Sequence, residues 1–245
     1  MAKLFLVPTL ESTDLTVSSA VEDYAKAIYA LERRAQDRDG AVSTNALAER
    51  LGVTPASASA MVKRLDGMGL VTHVPYRGVR LTPEGMRVAM EILRHHRLWE
   101  TYLAVHLGVP WDRVHAEAEV LEHVLSEELE ERIAAKLGDP THDPHGDPIP
   151  TRDLTIDEGV TDSMADLEAG AAGTFVRVSD SDPEMLCYLA DRGIAPGSSF
   201  EIVERQPFGG PLFARFTQPG EDQLGTEVHV LGGALAQAMR VEVSA

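Results

Sequence analysis

The sequence predicts a mainly α-helical protein that ends in a small β-barrel. Between residues 17 and 137, apolar residues recur at helical spacing behind recognisable helix caps. Aromatic residues make up only 5% of the chain, which suits a helix-rich interior. From residue 171 the pattern changes to short β-prone segments separated by Gly and Pro turns. The 245 residues are enough for two or three compact units.

The first predicted unit, residues 17–82, has the pattern of a winged helix-turn-helix. Three helices are indicated, and the third has Thr54 as its N-cap and Pro55 at its first position, where a missing N–H costs nothing. The β-prone segments 70–74 and 79–81 flank a Pro- and Gly-containing turn. They predict a hairpin, the wing, directly after the helices.

The rest of the chain divides into a helical part and a β-rich part. Residues 83–150 are predicted to form an all-helical unit that ends in a proline-rich loop, residues 139–150. Residues 151–170 are predicted to be a linker, and residues 171–245 the barrel, with one helix over residues 183–190. The predicted strands cover residues 175–178, 199–203, 212–216, 228–231 and 241–243.

Charge is distributed unevenly along the chain. The net charge of -17 opposes nucleic-acid binding, because a protein holds phosphates with Lys and Arg. Residues 43–80, however, carry five basic residues against two acidic ones, whereas residues 111–170 carry four basic and seventeen acidic ones. The helix-turn-helix segment can therefore face phosphates, and the acidic segment suggests either a solvated face or clustered carboxylates for cations.

The third helix has a composition that suits entry into the major groove of DNA. Its start, residues 56–60, contains only Ala and Ser and is therefore slender. Polar and basic side chains on this helix and on the wing can contact bases and phosphates. The candidates are Thr54, Ser57, Ser59, Lys63, Arg64, Tyr76, Arg77 and Arg80. Ala and Ser also suit close helix packing, but the basic wing that follows favours the DNA-binding interpretation.

Polar residues with metal-ligating side chains recur on three predicted helices. One face of the fifth helix carries His115, Glu119, Glu122 and His123. The fourth helix carries His96 and Glu100 one turn apart, and the first carries Asp23. A single such pair is usually a solvated helix face, but two carboxylates and two imidazoles on one face would be costly to bury without a cation.

The ligand types favour Mn²⁺ or Fe²⁺. Carboxylate oxygens with imidazole nitrogens suit these ions, whereas structural zinc usually recruits thiolates. His95 points about 100° away from His96 and is left out of the site. His142 and His145, in the proline-rich loop, could also meet a cation, but loop histidines usually face water, and that is the expectation here.

Compartment signals point to the cytoplasm. Cys187 is the single cysteine, so no intramolecular disulfide can form. Residues 1–16 are expected to form a loose arm, because their apolar run is too short for a signal peptide or a membrane span. No membrane partner is expected.

Several separated motifs, taken together, resemble the diphtheria toxin repressor family of metal-dependent transcription regulators. They are Glu22-Asp23-Tyr24, residues 70–81, residues 94–100, residues 114–126 and Gly146-Asp147-Pro148-Ile149-Pro150. The stretches 193–198 and 206–212 resemble the SH3-like C-terminal domain of the longer members, including those of the manganese transport regulator branch. The resemblance implies a winged-helix domain, a helical dimerisation and metal-binding domain and an SH3-like domain.

The resemblance also implies two metal sites. The primary site would take Asp23, Glu119, Glu122 and His123, and the ancillary site would take His96, Glu100 and His115. Candidates from the C-terminal domain for the ancillary site are Asp180, Asp182 and Glu184. The iron-responsive branch has Met and Cys where Asp23 and Glu119 stand, so hard carboxylates favour manganese. Lys26 replaces a further acidic ligand of the manganese branch, which argues against that branch's close two-metal cluster.

The predicted function is that of a homodimeric repressor, not an enzyme, that binds double-stranded operator DNA of metal-homeostasis genes. No small-molecule substrate is expected, and the predicted dimer surface contains Trp99, Tyr102, Leu103, Val105 and Trp111. Two alternatives remain open. One is a winged-helix regulator that responds to an organic ligand; the other is a metal-dependent hydrolase, which no nucleophile motif supports.

Overall fold

The structure is a computed structural model that describes residues 17–34, 41–74, 77–217 and 223–244. The chain divides into two compact units, Met1–Gly85 and Met86–Ala245. The predicted arm, residues 1–16, and Tyr76 lie outside the described residues. Within the described ranges, no helix is both long and apolar enough to cross a membrane.

The N-terminal unit contains three helices and a hairpin. Its elements are α1 (Ser19–Arg34), α2 (Thr44–Arg50), α3 (Pro55–Gly67), β1 (Val71–Val74) and β2 (Gly78–Leu81). The side chain of Thr54 accepts a hydrogen bond from the backbone N–H of Ser57 at 3.1 Å, which caps α3 as its sequence predicts. Gly52, with a φ of 64°, turns the chain between α2 and α3.

The wing is attached to the helices through backbone contacts. β1 and β2 pair antiparallel, and Val79 of β2 also forms a bridge with Val42, just before α2. The backbone N–H of Leu81 donates to the carboxylate of Glu32 on α1 at 2.8 Å. The core beneath consists of buried aliphatic residues, among them Val21, Ile28, Leu47, Val62, Leu65 and Leu70. These contacts leave the outer face of α3 exposed.

The C-terminal unit begins with three helices, the long α4 (Pro83–Leu107) and the shorter α5 (Trp111–Leu121) and α6 (Glu127–Leu137). α4 starts just before the boundary between the two units. The sequence predicts one helix to about residue 125, but α5 tightens after Leu121 into a 3-10 turn, Glu122–Val124. Ser126 then caps α6. The tightened turn changes the direction of the side chains that follow Leu121.

The β-rich part is a six-stranded antiparallel sheet. Its strands are β3 (Asp162–Ser163), β4 (Ala172–Val178), β5 (Ser199–Arg205), β6 (Leu212–Phe216), β7 (His229–Leu231) and β8 (Met239–Val243). Their order is β3-β8-β4-β5-β6-β7, so the two shortest strands form the edges. These edges do not pair with each other in the described part, so the sheet does not close into the small β-barrel that the sequence predicts. Strands of two and three residues offer too few ladder bonds to close the sheet.

Two helices complete this sheet. α7 (Pro183–Ala190) has the predicted bounds, and α8 (Gly233–Ala238) was not predicted. The core contains Phe175, Phe200 and Phe216, all buried. Residues 162–164, inside the predicted linker, also belong to the sheet, because β3 pairs with β8 and Met164 is buried in the same core.

The proline-rich loop packs tightly on β4. Gly146 has a φ of 85°, and a Cβ added there would lie 1.9 Å from the carbonyl oxygen of Val176. The backbone N–H of Val178 donates to the carbonyl of His145 at 2.9 Å. The loop is therefore held against the sheet where no larger residue than glycine fits.

Gly146→Ala is expected to lower the free energy of unfolding by roughly 3 kcal/mol, the sum of left-handed strain and a backbone clash. Gly170→Ala is the matched control, because Gly170 has a φ of 88° but nothing within 4 Å of the added Cβ. That control should lose only about 1–2 kcal/mol. Urea unfolding of the metal-free chain measures both, and equal losses would contradict the tight packing of the loop.

Candidate metal centre

α4, α5 and the following 3-10 turn place most of the predicted ligands in the C-terminal unit. α4 carries His96 and Glu100 one turn apart, with exposed fractions of 4% and 1%. The 3-10 turn carries Glu122, which is 0% exposed. Two carboxylates at such depth need cationic partners, because an isolated buried charge costs several kcal/mol or more.

We define the ancillary group as His96, Glu100, His115 and Asp180. One ligand atom of each lies within 4.8 Å of those of the others. Oε1 of Glu100 lies 3.1 Å from Nε2 of His96 and 3.4 Å from Nδ1 of His115. Nδ1 of His115 lies 2.9 Å from Oδ2 of Asp180. Asp180 follows β4, so the β-rich part contributes a side chain to a group that starts on α4 and α5.

We define the primary group as His96, Glu119, Glu122 and His123. Nδ1 of His96 contacts Oε2 of Glu122 and lies 3.9 Å from Oε1 of Glu119. Nε2 of His123 lies 3.6 Å from the other oxygen of Glu122. Since the opposite nitrogen of His96 faces Glu100, this ring lies between the two groups. The family resemblance of the motifs implies a place for His96 in the ancillary site alone.

Three other predicted ligands have different positions. Asp23 is on α1 in the N-terminal unit, and its place in the primary site stays a prediction. The carboxylate of Asp182 accepts from the backbone N–H of Glu184 at 3.0 Å and caps α7. Glu184 is exposed in the first turn of that helix. Of the three acidic candidates from the C-terminal domain, Asp180 is the one within the ancillary group.

The ancillary group holds protons in the absence of a metal. The nearby carboxylates of Asp180 and Glu100 raise the pKa of His115 to about 10. Burial would raise the pKa of Glu100, but the charges of His96 and of the neighbouring imidazoles outweigh it and hold this pKa well below its usual range. Burial would also raise the pKa of Asp180, but the hydrogen bond with His115 outweighs burial, and this pKa is lowered. A metal ion at this group must therefore displace protons.

The donor set fits a hard divalent ion. Both carboxylate oxygens of Glu100 are buried and have no hydrogen-bond partner among the described residues. Such oxygens are costly to bury unless a cation or a proton donor satisfies them. The sole cysteine, Cys187, is exposed on α7, and neither group contains it. Oxygen and imidazole donors without thiolate suit manganese and ferrous iron.

A second buried polar network lies beside the ancillary group. His145 is 0% exposed, so the expectation that it faces water is wrong, whereas His142 is exposed as expected. The ring of His145 stacks on Trp111, with ring centroids 5.8 Å apart. His145 is buried because the proline-rich loop packs on β4, and the spacing of residues in the sequence does not reveal this packing.

Arg97 neutralises the carboxylates of this network. Its guanidinium lies 3.6 Å from Asp143 and 3.4 Å from Asp147, and it donates to the carbonyl of Pro148. Arg177 adds a second cation 3.3 Å from Asp147. Sequence reasoning missed this network because its members are far apart along the chain and follow no common period.

His95 takes part in a separate ion pair. Its Nε2 lies 2.9 Å from a carboxylate oxygen of Glu130 on α6, and its Nδ1 lies 3.2 Å from the carbonyl of Glu122. Burial lowers the pKa of His95, but Glu130 outweighs this effect and the pKa is raised. His95 therefore braces α6 and the 3-10 turn instead of joining either metal group, in line with its predicted direction.

The candidate DNA-contacting residues that the structure describes are exposed. They are Thr54, Ser57, Ser59, Lys63, Arg64, Arg77 and Arg80. The hydroxyl of Ser59 donates to the carbonyl of Pro55 at 2.8 Å, and Thr54 serves as the cap of α3. The start of α3 is therefore slender and polar, as a helix that enters the major groove must be.

Comparison with family models divides the chain into three matched parts. Residues 16–79 match the iron dependent repressor, N-terminal DNA binding domain. Residues 82–151 match the iron dependent repressor, metal binding and dimerisation domain. Residues 163–243 match the FeoA domain, which corresponds to the predicted SH3-like part.

Curated relatives and solved structures agree with these matches. The chain is 32% identical to the iron-dependent repressor IdeR of Mycobacterium tuberculosis, over 90% of this chain and 96% of that one. It is 34% identical to the diphtheria toxin repressor of Corynebacterium efficiens, over 76% and 83%. A manganese-dependent transcriptional repressor in complex with manganese is 40% identical and superposes with a TM-score of 0.82, over 91% of this chain and 100% of that chain.

These relatives are transcriptional repressors and not enzymes, which removes support from the hydrolase alternative. The resemblance that the motifs predicted is confirmed over both helical domains and the β-rich domain. The chain belongs to the iron-dependent repressor family of metal-dependent transcription regulators, which includes the diphtheria toxin repressor.

Proposed function

We propose that this chain is a cytoplasmic, homodimeric repressor that binds operator DNA of metal-homeostasis genes when Mn²⁺, or alternatively Fe²⁺, fills its primary group. The observation that carries the proposal is the juxtaposition of the buried His96 and Glu122 with the half-buried Glu119. Asp23 is proposed to complete this site from α1. An ion bound there would link α1 to α4 and α5 and set the position of the DNA-reading helix. No small-molecule substrate takes part.

Manganese is the preferred ion in this proposal. The two ligand positions at which the iron-responsive branch carries sulfur are occupied here by Asp23 and Glu119, and carboxylates favour the harder ion. The relative with 40% identity is named as manganese-dependent, whereas the Mycobacterium tuberculosis relative with 32% identity is named as iron-dependent. Lys26 stands where a further acidic ligand would be needed, which favours a single ion at the primary site.

The dimer surface is proposed to lie at the end of α4 and along one side of α5 and the 3-10 turn. Exposed aliphatic residues support it: Val105, Leu107, Val120 and Val124 have exposed fractions of 65%, 62%, 71% and 74%. Of the residues predicted for this surface, Trp99 and Tyr102 are partly buried against the core that contains Leu98, and two more are used inside the subunit. Leu103 is only 6% exposed, and Trp111 packs against the core of the β-rich part.

The proposal is tested by measuring DNA affinity with and without metal at fixed ionic strength. A duplex selected from a random pool with Mn²⁺ present serves as the probe. Mn²⁺ is expected to tighten its binding roughly 5- to 150-fold, the usual range of allosteric coupling, and Mg²⁺ is expected to have no effect. DNA binding of equal strength in a chelator would contradict the proposal and favour the regulator that responds to an organic ligand.

A further inference from the structure

Two consecutive histidines of α4 hold Glu122 at two points. Nδ1 of His96 contacts the carboxylate of Glu122, and Nδ1 of His95 lies 3.2 Å from its backbone carbonyl oxygen. Neighbouring residues of a helix point about 100° apart, so the two rings reach this residue from different sides. The first contact directs the carboxylate, and the second fixes the backbone from which the carboxylate extends.

The backbone contact lies at the point where α5 has just ended. Glu122 is the first residue of the 3-10 turn that follows Leu121. Carbonyls at the end of a helix lack some of their intrahelical partners and depend on donors from elsewhere. The donor here comes from α4, so the turn that carries Glu122 and His123 is attached to α4 through its backbone as well as through its side chains.

Glu130 on α6 sets the direction of the His95 ring. Its Oε2 lies 2.9 Å from Nε2 of His95, and its Oε1 accepts from Nε of Arg94. Both partners of the His95 ring, a carboxylate and a carbonyl, are acceptors, so the ring donates to each. At most 13% of the side chain of Glu130, His95 or Arg94 is exposed, so water competes little for these bonds. A buried chain of hydrogen bonds thus runs from α6 to the 3-10 turn.

This chain of hydrogen bonds lies outside the coordinating groups. Neither Glu130 nor His95 belongs to a set of described residues whose ligand atoms lie within 4.8 Å of one another. They can therefore act on a bound ion only through Glu122. Partners of metal ligands that do not touch the ion still govern affinity, because they hold each ligand in the orientation that coordination requires.

We propose that Glu130 is a positioning residue for the primary group, which it controls through His95 and the backbone of Glu122. The inference rests on the proposed function and adds α6 to the metal response. Because coupling between sites is reciprocal, an ion that fixes Glu122 should also hold α6 more firmly. Hydrogen exchange of α6, followed by mass spectrometry, is expected to slow when Mn²⁺ is added, whereas exchange of β5 should change less.

The test is the Mn²⁺ concentration that gives half-maximal DNA binding by the full chain, measured with a selected duplex. Glu130→Ala is expected to raise this concentration roughly 10- to 100-fold, the usual cost of losing an outer partner of a metal ligand. Glu130→Gln should recover most of the loss, because its amide oxygen can still accept from His95. DNA affinity at saturating Mn²⁺ should stay at the wild-type level, which damage to the fold would not allow.

The matched control is Glu128→Ala. Glu128 lies on the same helix and pairs with Arg132, but both side chains of this pair are exposed. Because exposed ion pairs contribute little, the half-maximal Mn²⁺ concentration of this variant should equal that of the wild type.

The outcomes separate the two proposals. If Glu130→Ala folds normally and responds to Mn²⁺ as the wild type does, the positioning role is wrong while the sensor function stands. Weaker DNA binding at saturating Mn²⁺, with unchanged Mn²⁺ affinity in calorimetry, would also overturn the inference, since it marks a residue needed for the fold alone. If the wild type binds DNA equally with and without Mn²⁺, the proposed function itself is wrong. Should Glu130→Ala fold poorly, hydrogen exchange of the wild type decides, and protection of α6 by Mn²⁺ no greater than that of β5 overturns the inference.

Discussion

Replacing Glu122 with Gln is expected to remove metal-stimulated DNA binding. Glu122 is fully buried and contacts His96 and His123 with different oxygens, so it can join two imidazoles around one ion. The amide keeps the shape but has no charge and only one oxygen. Because the loss of an outer partner already costs roughly 10- to 100-fold in metal affinity, the loss of a ligand should cost about 100-fold or more. Operator affinity in Mn²⁺ should then equal the affinity in chelator.

The matched control is Glu117→Gln. Glu117 lies on α5, just before the 3-10 turn that carries Glu122, and its carboxylate is exposed, so this substitution should leave both metal binding and DNA binding unchanged. Fluorescence anisotropy with a selected duplex and far-UV circular dichroism measure function and fold together. Metal-stimulated DNA binding by Glu122→Gln at wild-type strength, with the fold intact, would contradict the assignment of the primary group.

Local signals explain why much of the fold could be predicted. The cap of α3 by Thr54 and the bounds of α7 depend on residues within one turn of each other, so the sequence contains the whole interaction. The same holds for the pair His96 and Glu100, because residues four apart on a helix share a face. The helical spacing of the polar residues therefore predicted which side chains share a face on α4 and on α5, and in the structure these faces meet.

Long-range packing explains the rest. The choice of Asp180 over Asp182 depends on the path of the chain after β4, which no local pattern encodes. The burial of His145 depends on Gly146, whose missing Cβ lets the loop approach Val176. The sheet stays open because its edge strands are short, and strand length is the least certain feature of a β-prone segment. In each case, residues distant in sequence determine the outcome.

Arg97→Met is expected to destabilise the C-terminal unit by about 3–5 kcal/mol, because removal of one partner leaves a buried charge uncompensated. Arg97 is only 7% exposed, and Asp143, 8% exposed, has no other guanidinium among its ion pairs in the described residues. Asp147 is less affected because Arg177 remains beside it. Urea unfolding of the metal-free chain measures the loss.

Adding Asp143→Asn, or lowering the pH, should remove the charge that Arg97→Met leaves uncompensated. In Arg97→Met with Asp143→Asn, the amide oxygen can still accept from the backbone N–H groups of His145 and Asp147, so most of the lost stability should return.

The pH dependence tests the same carboxylate. Burial, together with Glu100 and Asp147, already raises the pKa of Asp143 well above its usual range, and loss of Arg97 should raise it further. An acid whose pKa is higher in the folded state stabilises that state as pH falls. The deficit of the single variant should therefore shrink from pH 7 toward pH 5, and a deficit that is independent of pH would show that lost packing, not the orphaned carboxylate, is the cause.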